Sequence, residues 1–212
     1  MRSARILKTA AAVVIPILWS NSVRPSLPLD HRGRTAANAA VATAYACLFG
    51  GRPNWTAPRG LRHGLVAASV VAAGYAAALT IPPLRAAMTE FADRGDTGAV
   101  EWVTIHIPIG TVYSEELIFR ATLTPLLDAT LGPGAARLTS ALTFGLCHVA
   151  PARTANDNIA ATIATTTLAG LLFDRLARNA RSVTAPALFH FALNAGGVLA
   201  PRAAARARVM TP

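Results

Sequence analysis

The chain has 212 residues, of which 53% are apolar by type and 14% charged, and it carries a net charge of +10. That charged fraction is about half that of an ordinary soluble domain, which argues against a water-soluble enzyme. It also excludes intrinsic disorder, a disulfide-rich secreted scaffold and a coiled coil.

Uncharged runs from Thr35 to Gly51, Gly64 to Leu84 and Ser182 to Pro201 span seventeen, twenty-one and twenty residues, each enough to cross a bilayer's hydrocarbon core as a helix. The expected fold is therefore all-α: a polytopic transmembrane helical bundle of about seven membrane helices, within the range six to eight. Residues 1–212 are expected to form a single integral membrane domain. The excess charge comes from nineteen Arg and one Lys, which lie mostly between apolar runs, where lipid headgroups favour them. With no aromatic-interleaved basic stretch, the partner implied is the lipid bilayer and not nucleic acid.

In chain order, the first segment (6–22) follows the charged start Met1-Arg-Ser-Ala-Arg-Ile-Leu-Lys8 in the layout of a signal peptide. Without a small-x-small site after Trp19 it is expected to stay as an uncleaved membrane segment. Further segments are expected at 35–51, 64–82, 99–120, 135–150, 158–174 and 182–200, separated by Pro- and Gly-bearing connectors such as Leu131-Gly-Pro-Gly134. Eleven Arg and Lys fall on one side of such a bundle and nine on the other, a bias too small to set its orientation. Trp19, Trp55 and Trp102 fall near segment ends, where indoles favour the membrane interface. Cys47 and Cys147 sit in apolar runs as small buried hydrophobes.

An ionisable group inside a membrane costs several kcal/mol, so each needs a partner or a task. Ser114-Glu-Glu-Leu-Ile-Phe-Arg120 ends the fourth segment. Glu116 and Arg120 are four apart on one helical face and are expected to pair, while Glu115 points elsewhere and is left free. Phe144-Gly-Leu-Cys-His148 places a histidine at the end of an apolar helix with an aromatic ring on the same face. His190-Phe-Ala-Leu-Asn194 puts an imidazole and a carboxamide on one face of the last long segment.

Converging on one pocket, these groups make the inventory of a water-activating hydrolase. Glu115 would serve as general base with His148 sharing the water, and His190 and Asn194 would donate to the developing oxyanion. Glu115, His148 and His190 are equally the ligand types of zinc, although no His-Glu-x-x-His helix is present. A divalent metal and a metal-free site both stay open. His106, nine residues before Glu115, is expected to be structural, with Pro108 able to kink the helix between them. Glu101, Asp128, His31 and His63 are expected to be solvated.

The Glu115-Glu116-x-x-x-Arg120, Phe144-x-x-x-His148 and His190-x-x-x-Asn194 motifs, in this order on successive apolar segments, resemble the CPBP family of CAAX prenyl proteases and bacteriocin-processing enzymes, also called abortive-infection-type intramembrane proteases. The resemblance covers about residues 111–198, within a catalytic core of about 99–200. It implies an intramembrane endopeptidase with Glu115, His148, His190 and Asn194 at its active centre and Glu116 and Arg120 in support. The substrate class implied is a membrane-embedded or lipidated polypeptide. The family is commonly called metalloprotease, and a metal-free site in which Glu activates water also fits its residues. Ala121 stands where many members carry Gly. A non-proteolytic membrane scaffold of the same fold is the alternative, and a small transporter using Glu115 as a proton site comes third. The Ala- and Arg-rich, nearly Lys-free composition points to a bacterial plasma membrane.

Overall fold

The computed structural model describes residues 2–92 and 98–209. Met1, the start of the signal-like segment, lies outside them. The described residues are mostly helical, with no strand among them. Helix α1 (Arg2–Leu18) runs on through a wider π-type stretch (Trp19–Val23) into a last turn (Arg24–Ser26). Helix α2 (His31–Phe49) starts where the Asp30 carboxylate accepts from Gly33 N at 2.7 Å, and it stops at Gly50, whose φ of +79° suits glycine. Pro58 opens α3 (Pro58–Thr80) and Pro82 opens α4 (Pro82–Thr89).

Helix α5 begins at Ala99–Glu101, widens to π geometry over Trp102–Tyr113 and again over Glu116–Leu123, and ends as Thr124–Leu131. Two i→i−5 side-chain bonds mark the wide turns: Ser114 Oγ donates to Ile109 O at 2.9 Å and Thr122 Oγ1 to Leu117 O at 2.8 Å. Pro108, which lacks an N–H, sits inside the first π stretch. Gly132 at φ +80° and Pro133 make the corner into α6 (Pro133–Leu146). Then follow the short α7 (Val149–Thr154), α8 (Ile159–Ala180) and α9 (Thr184–Val209).

Each expected segment but one falls on a continuous helix, with shifted bounds. Three helices are long and apolar enough to cross a membrane: Ala4–Ser26, Pro58–Thr80 and Ile159–Ala180. Their outward faces carry exposed Leu61, Leu65, Val66, Val70, Leu168 and Leu172, the surface that lipid covers. The expected segment 135–150 is instead broken after Leu146. Its 14 residues reach about 21 Å, short of the roughly 30 Å hydrocarbon core.

The break is held from α1: Asn21 Nδ2 donates to Leu146 O at 2.9 Å and Asn21 Oδ1 accepts from Ala150 N at 2.8 Å. One side chain thus satisfies backbone groups at a helix end and at the following helix start.

The bundle's centre is α5. All eight residues from Glu116 to Leu123 are buried, and Leu123 and Leu127 are completely so. Around it α2, α6, α8 and α9 pack closely. Gly145 and Gly170 let α6 and α8 touch: a Cβ at Gly145 would overlap Thr167 Oγ1, and one at Gly170 would lie 3.2 Å from Ala141 Cα. Since lipid tails are as apolar as leucine, close packing and interhelical hydrogen bonds hold such helices together. Asn38 illustrates this, accepting from Trp19 Nε1 at 2.7 Å and donating to Gly110 O at 2.9 Å, which ties α1, α2 and α5.

Cys47 is exposed on α2 and not buried as its apolar run suggested, whereas Cys147 is buried. Trp19 and Trp55 are packing residues, the latter stacked on Tyr113 with ring centres 6.2 Å apart.

Candidate active site

The π stretch after Glu115 brings both motif carboxylates to one imidazole. His190, on α9, has its Nδ1 2.9 Å from Glu116 Oε1 and its Nε2 3.7 Å from Glu115 Oε2. Glu115 and Glu116 do diverge, as adjacent helical residues must, and the ring lies between them with one nitrogen toward each. Arg120 Nη1 stands 3.5 Å from Glu116 Oε1, so the expected pair is present. The second partner of Glu116, His190, comes closer than Arg120 does.

Glu116 is fully buried, Arg120 nearly so, and His190 is 5% exposed. Such charges persist only when they compensate one another. Arg120 lies over the rings of Phe144 and Phe173, each centroid 4.7 Å away, and its Nη2 reaches Gly170 O at 3.4 Å. Phe173, on α8, also stacks on His190 at 4.7 Å between ring centres with an interplanar angle of 26°. An aromatic box therefore shields the Glu116–Arg120–His190 group from water and lipid. Nothing in the sequence singled out Phe173, because it lies in no motif.

His148 follows the break in α6. Its Nδ1 is 2.8 Å from Phe144 O. A carbonyl only accepts, so Nδ1 carries the proton and Nε2 of the neutral ring keeps its lone pair. The Phe144 ring sits 4.8 Å from the His148 ring and 6.4 Å from that of His190, between the two motif histidines. Asn194 Nδ2 donates to His190 O at 3.1 Å, which uses one of its two N–H groups. Glu115 Oε2 is buried with no hydrogen-bond partner among the described residues, as is Glu116 Oε2.

For a metal the arrangement does not fit. Among the described residues no three His, Cys, Asp or Glu side chains converge tightly enough to hold one, whereas a catalytic zinc takes three protein ligands.

Residues 98–196 match the family model of Rce1-like proteins, the type II CAAX prenyl endopeptidases. That segment belongs to the CAAX-protease family. It contains all three motifs, and the chain carries three helices long and apolar enough to cross a membrane. No curated protein and no solved structure matches the chain.

Of the groups expected to be solvated, three have partners in the CAAX-protease segment or beside it. Glu101 accepts from Arg32 Nε at 2.7 Å and lies 3.4 Å from His106 Nε2. Asp128 accepts from Arg178 Nη2 at 2.8 Å. The His31 ring packs edge-on against Trp102 at 5.2 Å. His31 is nevertheless exposed, as is His63, whose Nδ1 lies on the carbonyl of Arg59 at 2.8 Å. His106 is structural as expected, buried with Nδ1 2.7 Å from Thr35 Oγ1. Arg137 and Arg178 converge on the buried Asp174 at 3.2 and 2.8 Å, an ion network that ties α6 to α8.

Proposed function

We propose that the chain is an intramembrane endopeptidase that hydrolyses a peptide bond of a membrane-embedded or lipidated polypeptide, in a bacterial plasma membrane. The observation that carries this reading is the facing pair Glu115 Oε2 and His190 Nε2, 3.7 Å apart, with the carboxylate oxygen buried and unpartnered. A buried carboxylate without a hydrogen bond is costly, and an attacking water would relieve it.

Glu115 takes a proton from that water as it adds to the carbonyl carbon, while the His148 Nε2 lone pair helps orient it. The oxyanion is met by His190 through Nε2 and by the second N–H of Asn194. Glu116 holds His190 through Nδ1, and Arg120 holds Glu116. Collapse of the tetrahedral adduct breaks the C–N bond, and the proton on Glu115 passes to the leaving amine. The residues alone complete the cycle, so no step is assigned to a metal.

The test compares membrane and secreted peptides from cells that carry wild type or His190→Ala. Fragments that depend on His190 are expected. If no fragment differs while deletion of the whole chain still has a consequence, the protein acts as a scaffold and the protease reading fails.

A further inference from the structure

A cavity of about 160 Å³ opens where the end of α5, the end of α8 and the connector before α3 meet. Four arginines line it, Arg52, Arg120, Arg178 and Arg181, against two carboxylates, Asp128 and Asp174. Both carboxylates are already committed. Asp128 accepts from Arg178 Nη2 at 2.8 Å, and Asp174 accepts from Arg178 Nε at 2.8 Å with Arg137 Nε 3.2 Å away. Arg120 has Glu116. Arg52 and Arg181 are left with no side-chain hydrogen bond or ion pair among the described residues, so the cavity carries an uncompensated excess of positive charge.

The backbones of these two arginines are fixed. Arg52 N donates to Ala121 O at 3.1 Å, and Asn54 Nδ2 donates to Arg181 O at 3.1 Å. Asn54 O in turn accepts from Ser182 Oγ at 2.8 Å and from Val183 N at 3.2 Å. Arg181 also has a φ of +51°, in the left-handed region. Where α2 ends in the same conformation the residue is Gly50, the usual choice there, whereas at the end of α8 the chain keeps a guanidinium despite the strain. The depth of the cavity follows from its neighbours. Both α8 (Ile159–Ala180) and α3 (Pro58–Thr80) are long and apolar enough to cross a membrane. Arg181 follows the last residue of the first and Arg52 precedes the start of the second, which puts the cavity level with lipid headgroups.

We infer that Arg52, Arg178 and Arg181 hold the phosphate of an anionic phospholipid headgroup. A phosphodiester brings one negative charge and two free oxygens, which the planar fork of a guanidinium meets with two parallel bonds. Basic pockets between membrane helices are places where such headgroups lodge. The volume suits a phosphate group with a few waters and falls below the roughly 300 Å³ at which pockets for drug-sized ligands begin. A choline headgroup would bring a cation among the arginines and is disfavoured. The inference stands whether or not the chain cleaves peptides.

The experiment uses the full chain in detergent micelles doped with phosphatidylglycerol or phosphatidylcholine at equal mole fraction, and native mass spectrometry counts the lipid retained. Phosphatidylglycerol is expected to be held about tenfold more strongly, the worth of one charge-assisted pair. Arg52→Gln should reduce that preference, and Arg52→Gln combined with Arg181→Gln should abolish it. The melting temperature without lipid should not change, since neither side chain has a partner in the protein to lose. Arg181→Lys should keep part of the preference. Arg62→Gln, at an exposed position outside the cavity, should keep all of it. Equal retention of the two lipids overturns the inference, as does an undiminished preference in the double variant. An equal loss in Arg62→Gln overturns it too, because the preference then belongs to the basic surface as a whole. So does stabilisation by inorganic phosphate in lipid-free micelles with none from phosphatidylglycerol, which would make the cavity a site for a free anion.

Discussion

The Nδ1 of His190 and the Oε1 of Glu116 lie 2.9 Å apart, so the second carboxylate of the first motif sets the ring of the third. Arg120, 3.5 Å from the same oxygen, neutralises the carboxylate from behind. Support passes from arginine to glutamate to imidazole, and only the imidazole faces Glu115.

Glu115→Gln keeps the shape of the side chain and removes its basicity. Cleavage of a membrane-anchored reporter is expected to fall by about 10²- to 10⁴-fold, with the yield and melting temperature of folded protein in detergent unchanged. Wild-type activity in this variant would end its assignment as general base.

Glu116→Gln and Arg120→Ala act differently, because each strands a buried charge. A loss of about 3–5 kcal/mol is expected, read as lower thermal stability in detergent. Glu116→Gln should in addition lower the activity of the protein that still folds, since the ring facing Glu115 is then no longer held through Nδ1 by a carboxylate. Wild-type specific activity in the folded variant would mean that Glu116 does not position His190.

Phe173→Ala removes the ring that stacks on His190 and lies under Arg120, and a cost of about 3–5 kcal/mol is expected from the cavity left behind. Phe173→Leu should recover most of the stability and little of the activity. If both variants recover together, the ring acts by volume alone and not by orienting the imidazole.

Chelation is expected to leave cleavage intact, because the side chains do not form a three-ligand set. Dialysis of active protein against EDTA, followed by activity and metal analysis, is the check. Loss of activity restored by zinc would overturn the metal-free reading.

Gly145→Ala is expected to destabilise the fold by about 1–3 kcal/mol, since the added methyl would overlap Thr167 Oγ1 and come within 2.8 Å of the Ile163 carbonyl. In an isolated helix the same change is favourable. A rise in melting temperature would show that α6 and α8 can separate at no cost.

Apolar run length and the cost of charge in a bilayer were enough to read from the sequence an all-helical membrane bundle, where helices lie, and which polar residues needed explaining. The i, i+4 pairing of Glu116 with Arg120 was equally legible, because it is a local relationship along one helix. Tertiary structure decided what lies across helices. It placed His190 between two carboxylates that point apart, put Phe173 over both His190 and Arg120, and used Asn21 from the first helix to bridge the break before His148. It also gave Glu101 and Asp128 arginine partners 69 and 50 residues away. Periodicity reports only which face a residue occupies, and contacts at such separations depend on how those faces are packed, including the wide turns of α5 that no hydrophobic repeat announces.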